Sequence, residues 1–321
     1  MLFLSVIFGF ALQANALSLS YTGAATKSAL LLASTDNRPL GTGFEVIYST
    51  NGGSYRFIVT ARHVIEGKET VKVGINFNLN RLDESAGHPR VKYMDLLLKN
   101  SDGNLYEYAA RGIDIALIFV GYKTDEEEAR IPNDAASYAV STVTSTKHWV
   151  AHSTLPIPQI VATSLPEEDA TDVVYSGFPF GFHSDKWIVP ITRKCAVASS
   201  RVDGIPNIHP ENFFIDCAPF EGDSGSPVFI RVISYEPGGL EISNKLAGVM
   251  SARYNATVSN EIDSNIYNKS TKTLEMQVIP VLGSVAPARE IVPTADRLIA
   301  RLSPQFAHQE SPMNNRLKEP Q

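Results

Sequence analysis

Apolar residues along this chain gather in short runs parted by glycine, proline, asparagine and serine. Gly43-Phe44-Glu45-Val46-Ile47-Tyr48 and Tyr55-Arg56-Phe57-Ile58-Val59-Thr60 flank the turn Asn51-Gly52-Gly53-Ser54, which predicts a β-hairpin. Val71-Lys72-Val73-Gly74-Ile75 alternates. Residues 113–120 form a nearly continuous apolar run with a single carboxylate, Asp114, and predict a buried strand. Shorter runs follow at residues 173–175, 187–189, 212–215, 227–230 and 246–250. Many short strands at this spacing predict an all-β sandwich or barrel.

Three stretches depart from the strand pattern. Residues 125–158 carry the acidic run Asp125-Glu126-Glu127-Glu128, then polar residues and prolines, and predict a long connection between two halves. Near the C-terminus, Leu298, Ile299 and Leu302 fall at helical spacing between Pro293-Thr294 as a start and Ser303-Pro304 as a stop; a polar tail follows to Gln321. At the N-terminus no charged side chain precedes Lys27. The apolar residues 2–12 lead into Ala14-Asn15-Ala16, the pattern of a secretory signal peptide cleaved after Ala16. That run is too short to span a bilayer. The expected organisation is therefore a signal peptide over residues 1–16, a first β-barrel over 17–135, a second over 136–285, and a C-terminal helix with a tail over 286–321. The mature chain is expected outside the cytosol, secreted or periplasmic, with no membrane association after cleavage.

Composition narrows the class. The chain has 321 residues, 44% hydrophobic and 19% charged, which is ordinary for a folded protein. A net charge of -6 without a Lys/Arg cluster excludes nucleic acid as the expected partner. There is neither a His-Glu-x-x-His motif nor a paired-cysteine metal motif, so neither metal nor cofactor is expected.

The sharpest chemical signal is Glu221-Gly222-Asp223-Ser224-Gly225-Ser226-Pro227. Glycines on both sides of Ser224 permit a tight turn and the close approach of a substrate carbonyl. The backbone N–H groups of Gly222 and Ser224 can then point at one oxygen as an oxyanion hole. A serine nucleophile needs a base. Of seven histidines, His63 stands where an apolar strand breaks, in Thr60-Ala61-Arg62-His63-Val64. A carboxylate must orient that base. Asp114, in Gly112-Ile113-Asp114-Ile115-Ala116-Leu117, has an apolar setting that demands a partner, and Asp95 is the alternative.

Thr-Ala-x-His-Val, Asp-Ile-Ala-Leu and Gly-Asp-Ser-Gly-Ser-Pro, in this order, resemble the chymotrypsin-like serine protease superfamily from about Gly41 to Pro280. Gly41-Thr42-Gly43-Phe44 and Gly177-Phe178-Pro179-Phe180-Gly181 resemble the bacterial glutamyl endopeptidase and heat-shock protease branch, without a C-terminal peptide-binding domain. The resemblance implies two antiparallel β-barrels, a His63–Asp114–Ser224 triad in the cleft between them, and protein or peptide substrates. It places Ala218 at the base of the primary specificity pocket, where an acid would select Arg or Lys; strict basic specificity is therefore not expected. It places Ser251 within reach of Asp114 and Arg253 on the pocket wall. Asp223 is the position that pairs with a newly released N-terminus in trypsin-like zymogens. No Ile-Val-Gly-Gly is present to supply one, which leaves nearby backbone or a positive side chain as its partner.

Cys195 and Cys217 flank the turn Asp203-Gly204-Ile205-Pro206-Asn207 and would face each other across a hairpin. Export favours a disulfide; two packed thiols are the alternative. The expected function is a secreted serine endopeptidase. The rivals are a latent homologue that binds protein, and an esterase on an α/β-hydrolase fold. The latter would need Gly-x-Ser-x-Gly and the order Ser, Asp, His.

Overall fold

A computed structural model describes residues 29–50, 53–76, 91–101, 103–124, 155–157, 161–162, 171–182, 190–200, 208–236, 239–257 and 278–307. The signal-peptide residues 1–16, the acidic run, the run at 187–189 and the turn at 203–207 lie outside these.

The strands of the first half are β1 (Ala29–Ala33), β2 (Pro39–Thr50), β3 (Gly53–Thr60), β4 (Thr70–Asn76), β5 (Val91–Leu97), β6 (Lys99–Asn100), β7 (Gly103–Asn104), β8 (Tyr106–Tyr108), β9 (Ala116–Thr124) and β10 (Leu155–Ile157). β5, β4, β1, β2, β3, β9 and β8 form one curved sheet in that order, and β10 pairs with β2 in parallel. The hairpin predicted around residues 51–54 is β2–β3, antiparallel with Thr50 opposite Gly53. The ends of the sheet approach each other at one corner, where the Leu105 N–H donates to the Leu98 carbonyl at 2.8 Å. The second half is β11 (Asp172–Gly177), β12 (Ile191–Ser199), β13 (Phe213–Ile215), β14 (Pro227–Glu236), β15 (Gly239–Thr257) and β16 (Val278–Pro287). These close into a barrel in the order β11-β12-β13-β16-β15-β14. The architecture is the expected all-β, two-barrel, chymotrypsin-like one, the first barrel being a half-barrel sheet. β10 joins that first sheet although it lies beyond residue 136.

The strands read as continuous apolar runs because both of their faces are buried. On β3, Phe57 and Val59 face a core shared by the two halves, while Ile58 faces the interior of the first sheet. On β9, Leu117 and Phe119 face the shared core and Ile118 and Val120 the interior. In the second half, Val174 and Phe229 reach the shared core; Val173, Tyr175, Val228 and Ile230 line the barrel interior. The shared core holds the halves against each other and sets the cleft between them.

The short helix α1 (Arg62–Ile65) follows β3 directly. The C-terminal helix α2 (Ile291–Ala307) is longer at both ends than its proline signals predict. Pro293 sits in the first turn, where an N–H has no intrahelical partner to lose. Ile291, Ala295, Leu298 and Leu302 bury one face of α2 in the shared core. Arg297 and Arg301 donate to the Tyr108 and Tyr106 carbonyls, at 3.1 and 2.5 Å, and pin α2 along β8. Among the described residues, no helix is long and apolar enough to cross a membrane.

Cys195 and Cys217 form a disulfide with their Cα atoms 5.7 Å apart. Cys217 lies just beyond β13 rather than on it, and Asp216 beside it extends the pairing with β12: its N–H donates to the Ala196 carbonyl at 3.0 Å. The bridge ties β12 to the segment leading into the Ser224 loop. Reduction is expected to lower stability by about 3 kcal/mol, the loop-closure value for a crosslink of this span. Chemical denaturation with and without a thiol reductant measures it.

Candidate active site

The Ser224 loop is pinned peptide by peptide. The Glu221 carbonyl accepts from the Phe180 N–H, and the Gly222 carbonyl accepts from the Thr42 hydroxyl at 2.8 Å. The Asp223 carbonyl accepts from the Ser226 N–H at 3.0 Å, and the Ser224 carbonyl from the Thr42 N–H at 2.7 Å. On the donor side, the Asp223 N–H is bonded to the Phe220 carbonyl and the Gly225 N–H to the Met250 carbonyl. This accounting leaves three backbone donors of residues 220–226 without a partner among the described residues: the N–H groups of Glu221, Gly222 and Ser224. In a planar trans peptide the N–H points opposite to the C=O. Because Phe180 holds the Glu221 carbonyl, the Gly222 N–H is turned away from Phe180.

Two glycines make this path possible. Gly222 has φ +96°, and a Cβ there would lie 2.2 Å from the Phe178 carbonyl oxygen. Gly225 has φ +89°, and its Cβ would lie 1.9 Å from the Thr42 oxygen. No side chain fits either place, which is the physical content of the Gly-x-Ser-Gly spacing.

His63 is the second residue of α1, in the turn after β3. Asp114 lies in a bend just before β9, not on the strand expected from its apolar neighbours. The 3₁₀ turn Ala110–Gly112 immediately before it carries positive φ at Arg111 and Gly112, so pairing with β3 begins only at Ala116. The bend frees the carboxylate to grip His63 twice: Oδ1 accepts from the His63 backbone N–H at 3.0 Å, and Oδ2 meets the ring Nδ1 at 2.7 Å. The Ser251 hydroxyl donates to the same Oδ2 at 2.7 Å. Burial raises the Asp114 pKa, but the bonds from His63 and Ser251 outweigh it and the carboxyl sits below the usual aspartate value. The Asp114 bond in turn holds His63 above the ordinary histidine pKa, against the opposing effect of burial. Nδ1 is thereby committed to Asp114, and Nε2 is the free ring nitrogen.

A pocket of about 180 Å³ opens beside Ser224. Pro219, Phe220 and Glu221 line one side, and Met250, Ala252 and Arg253 the other. Arg253 is exposed and lines this pocket. Ala218 is not among the lining residues; its carbonyl accepts from Arg193 at 2.7 Å. Asp223 is fully buried, and burial pushes its carboxyl pKa up. Its Oδ2 accepts from the Phe220 N–H at 2.9 Å and from the Tyr175 hydroxyl at 3.2 Å. The structure thus brings His63, Asp114 and Ser251 into one hydrogen-bonded group and sets Ser224 at the pocket. Among the described residues, no hydrogen bond joins the Ser224 hydroxyl to the His63 ring.

Sequence reasoning passed over Thr42. Its N–H and hydroxyl both bond the Ser224 loop, its carbonyl accepts from Thr60 at 2.7 Å, and its hydroxyl takes the Phe178 N–H at 3.1 Å. Gly41-Thr42-Gly43 was its only sequence trace, and a threonine between two glycines does not announce contacts made 180 residues away.

No family model and no curated protein matches this sequence. Among solved structures the chain is similar to the apo crystal structure of the MamO protease domain from Magnetospirillum magneticum. The identity is 15%, with 84% of this chain and 96% of that chain covered and a TM-score of 0.43. It is also similar to HBP, solved at atomic resolution, with 13% identity, coverage of 86% and 93%, and a TM-score of 0.42. The chemistry of the site therefore rests on its own geometry.

Proposed function

We propose that this protein is a secreted serine endopeptidase that works through an acyl-enzyme. The reading is supported by the N–H groups of Gly222 and Ser224, which flank Asp223 in the Ser224 loop and have no partner among the described residues. Such a preset pair is what a developing oxyanion requires. Ser224 Oγ attacks the scissile carbonyl carbon while its proton passes to Nε2 of His63. Asp114 keeps the ring in the tautomer that can accept this proton and stabilises the imidazolium. The oxyanion rests on the Gly222 and Ser224 N–H groups. Collapse breaks the C–N bond, His63 protonates the departing amine, and an ester to Ser224 remains. Water then attacks the ester with His63 again as base, releasing the acid and restoring the hydroxyl. The Arg253 guanidinium on the pocket wall disfavours a basic substrate side chain, so apolar or acidic residues are the expected choice.

One observation favours a second reading, a latent homologue that binds protein: the Ser224 hydroxyl is not bonded to His63. Catalytic hydrogen bonds often tighten only when substrate is present, and an experiment separates the two readings. The mature protein is expected to react with a fluorophosphonate probe and Ser224→Ala is not. Its peptide-library profile is expected to lack dominant cleavage after Arg or Lys. An unlabelled wild type would favour the binding protein, and labelling retained in Ser224→Ala would overturn the site.

A further inference from the structure

Asp223 stands between Gly222 and Ser224, whose N–H groups have no partner among the described residues, and its carboxylate is fully buried. A buried carboxylate is costly without compensation. Among the described residues no basic side chain forms an ion pair with it; the nearest answer is indirect. The Tyr175 hydroxyl donates to Asp223 Oδ2 and accepts from Arg193 Nη1 at 2.8 Å. Arg193 also donates to the Ala218 carbonyl at 2.7 Å, and its guanidinium lies over the rings of Tyr175 and Phe220, 5.7 and 5.1 Å from their centroids. One guanidinium therefore touches the segment 218–223 at a carbonyl, at a ring and, through a phenol, at the carboxylate.

The support beneath this relay is rigid. Tyr175 and Arg193 are directly opposite each other on β11 and β12, and Tyr175 is opposite Val228 on β14. Cys195, two residues beyond Arg193 on β12, is bonded to Cys217, the residue before Ala218. The Ser224 loop is thus moored to β12 by a covalent bond and, beside it, by the guanidinium. A carboxylate left free to move would release the Phe220 N–H and let the peptides on either side of Asp223 turn.

We propose that Arg193, acting through the Tyr175 hydroxyl, is a positioning residue for Asp223 and so fixes the direction of the Gly222 and Ser224 N–H groups. The inference rests on the peptidase reading above. It assigns the buried Asp223 an internal cationic partner, reached through a neutral phenol that needs no second buried charge.

Tyr175→Phe removes one oxygen and keeps the ring; Arg193→Met removes the charge and keeps most of the stem; Arg193→Lys keeps a charge but replaces the planar guanidinium, whose Nη1 donates to both Tyr175 and Ala218, by an ammonium on a shorter reach. Steady-state kinetics on a peptide substrate are measured with fluorophosphonate titration of active sites and a denaturation midpoint for each protein. In Tyr175→Phe and Arg193→Met, kcat and kcat/KM are expected to fall together by about 10–100-fold, less than the loss on deleting an oxyanion donor outright. Affinity for a peptide boronic acid, which forms a tetrahedral adduct, is expected to fall by a like factor, while affinity for the product peptide stays put. Arg193→Lys is expected to recover part of kcat. A labelled wild type whose folded variants keep kcat, or lose only through KM, overturns this inference alone. An unlabelled wild type overturns the peptidase reading and this inference with it.

Discussion

Replacing His63 or Ser224 by alanine is expected to lower kcat on a peptide substrate by about 10⁶-fold, with either change nearly as damaging as both together. In the proposed mechanism the two residues act as one unit. A serine hydroxyl without a base is a weak nucleophile at neutral pH, and an imidazole without the serine has no proton to take. Neither substitution disturbs a built part of the fold. The His63 side chain is about half exposed, and Ser224 is tied to the rest of the molecule through its carbonyl, which alanine retains. Denaturation midpoints measured above the pH at which folded His63 titrates are therefore expected to stay near that of the wild type. Activity in the double variant is expected to remain above the uncatalysed rate, because the Gly222 and Ser224 position N–H groups survive both changes. A His63→Ala protein with near-normal kcat would remove His63 from the mechanism.

Asp114→Asn is expected to cost about 10⁴-fold in kcat. The carboxylate accepts three hydrogen bonds, from the His63 backbone N–H, the His63 ring and Ser251. An amide in its place has one oxygen. If that oxygen keeps the backbone N–H, its NH₂ faces Nδ1, which must then accept, and the ring proton moves to Nε2 where a base is needed. If the amide turns over, its NH₂ confronts the backbone N–H of His63. Either way the acceptor at Nε2 is lost or the turn is strained.

The pH dependence supplies an independent check. Asp114 raises the His63 pKa, so the acid limb of kcat/KM is expected above the ordinary histidine value of about 6.5. In Asp114→Asn it is expected to move to lower pH. The stability contribution of His63 runs the other way. With the folded pKa raised, it is fully present below the unfolded value of about 6.5 and fades as pH rises through the folded one. Activity therefore turns on over the same window in which this contribution is lost. An unmoved limb in Asp114→Asn would separate Asp114 from the titration of His63.

The residues of the site differ in how far they could be read from sequence. Gly222, Ser224 and Gly225 are close in the chain, and the backbone they require is local, so their spacing alone conveys the turn. His63 was found where an apolar strand breaks, Asp114 as a carboxylate inside an apolar run, and Ser251 through family resemblance. Asp114 nevertheless sits on a bend rather than a strand, because Arg111 and Gly112 turn the chain just before it and postpone pairing with β3 until Ala116. Thr42 showed only as a threonine between two glycines, and nothing in the sequence announced the contacts of Thr42, Tyr175 or Arg193. A threonine, a tyrosine and an arginine on strands look the same whether they face solvent or a loop folded in from elsewhere.

By itself the sequence determined that the chain is made of short strands and that a glycine-framed serine forms a tight loop, and it singled out His63, Asp114 and Ser224 as candidates. These follow from local conformational limits and from apolar runs long enough for a strand and too short for most helices. Tertiary structure alone decided that the strands divide into a half-barrel sheet and a closed barrel over one shared core, that Thr42 and the Arg193–Tyr175 relay grip the Ser224 loop, and that the Gly222 and Ser224 N–H groups find no partner among the described residues. The reason is the range of the interactions. A turn is set by the torsions of a few neighbours, whereas which donors remain unspent is known only after every carbonyl has found its partner across the fold.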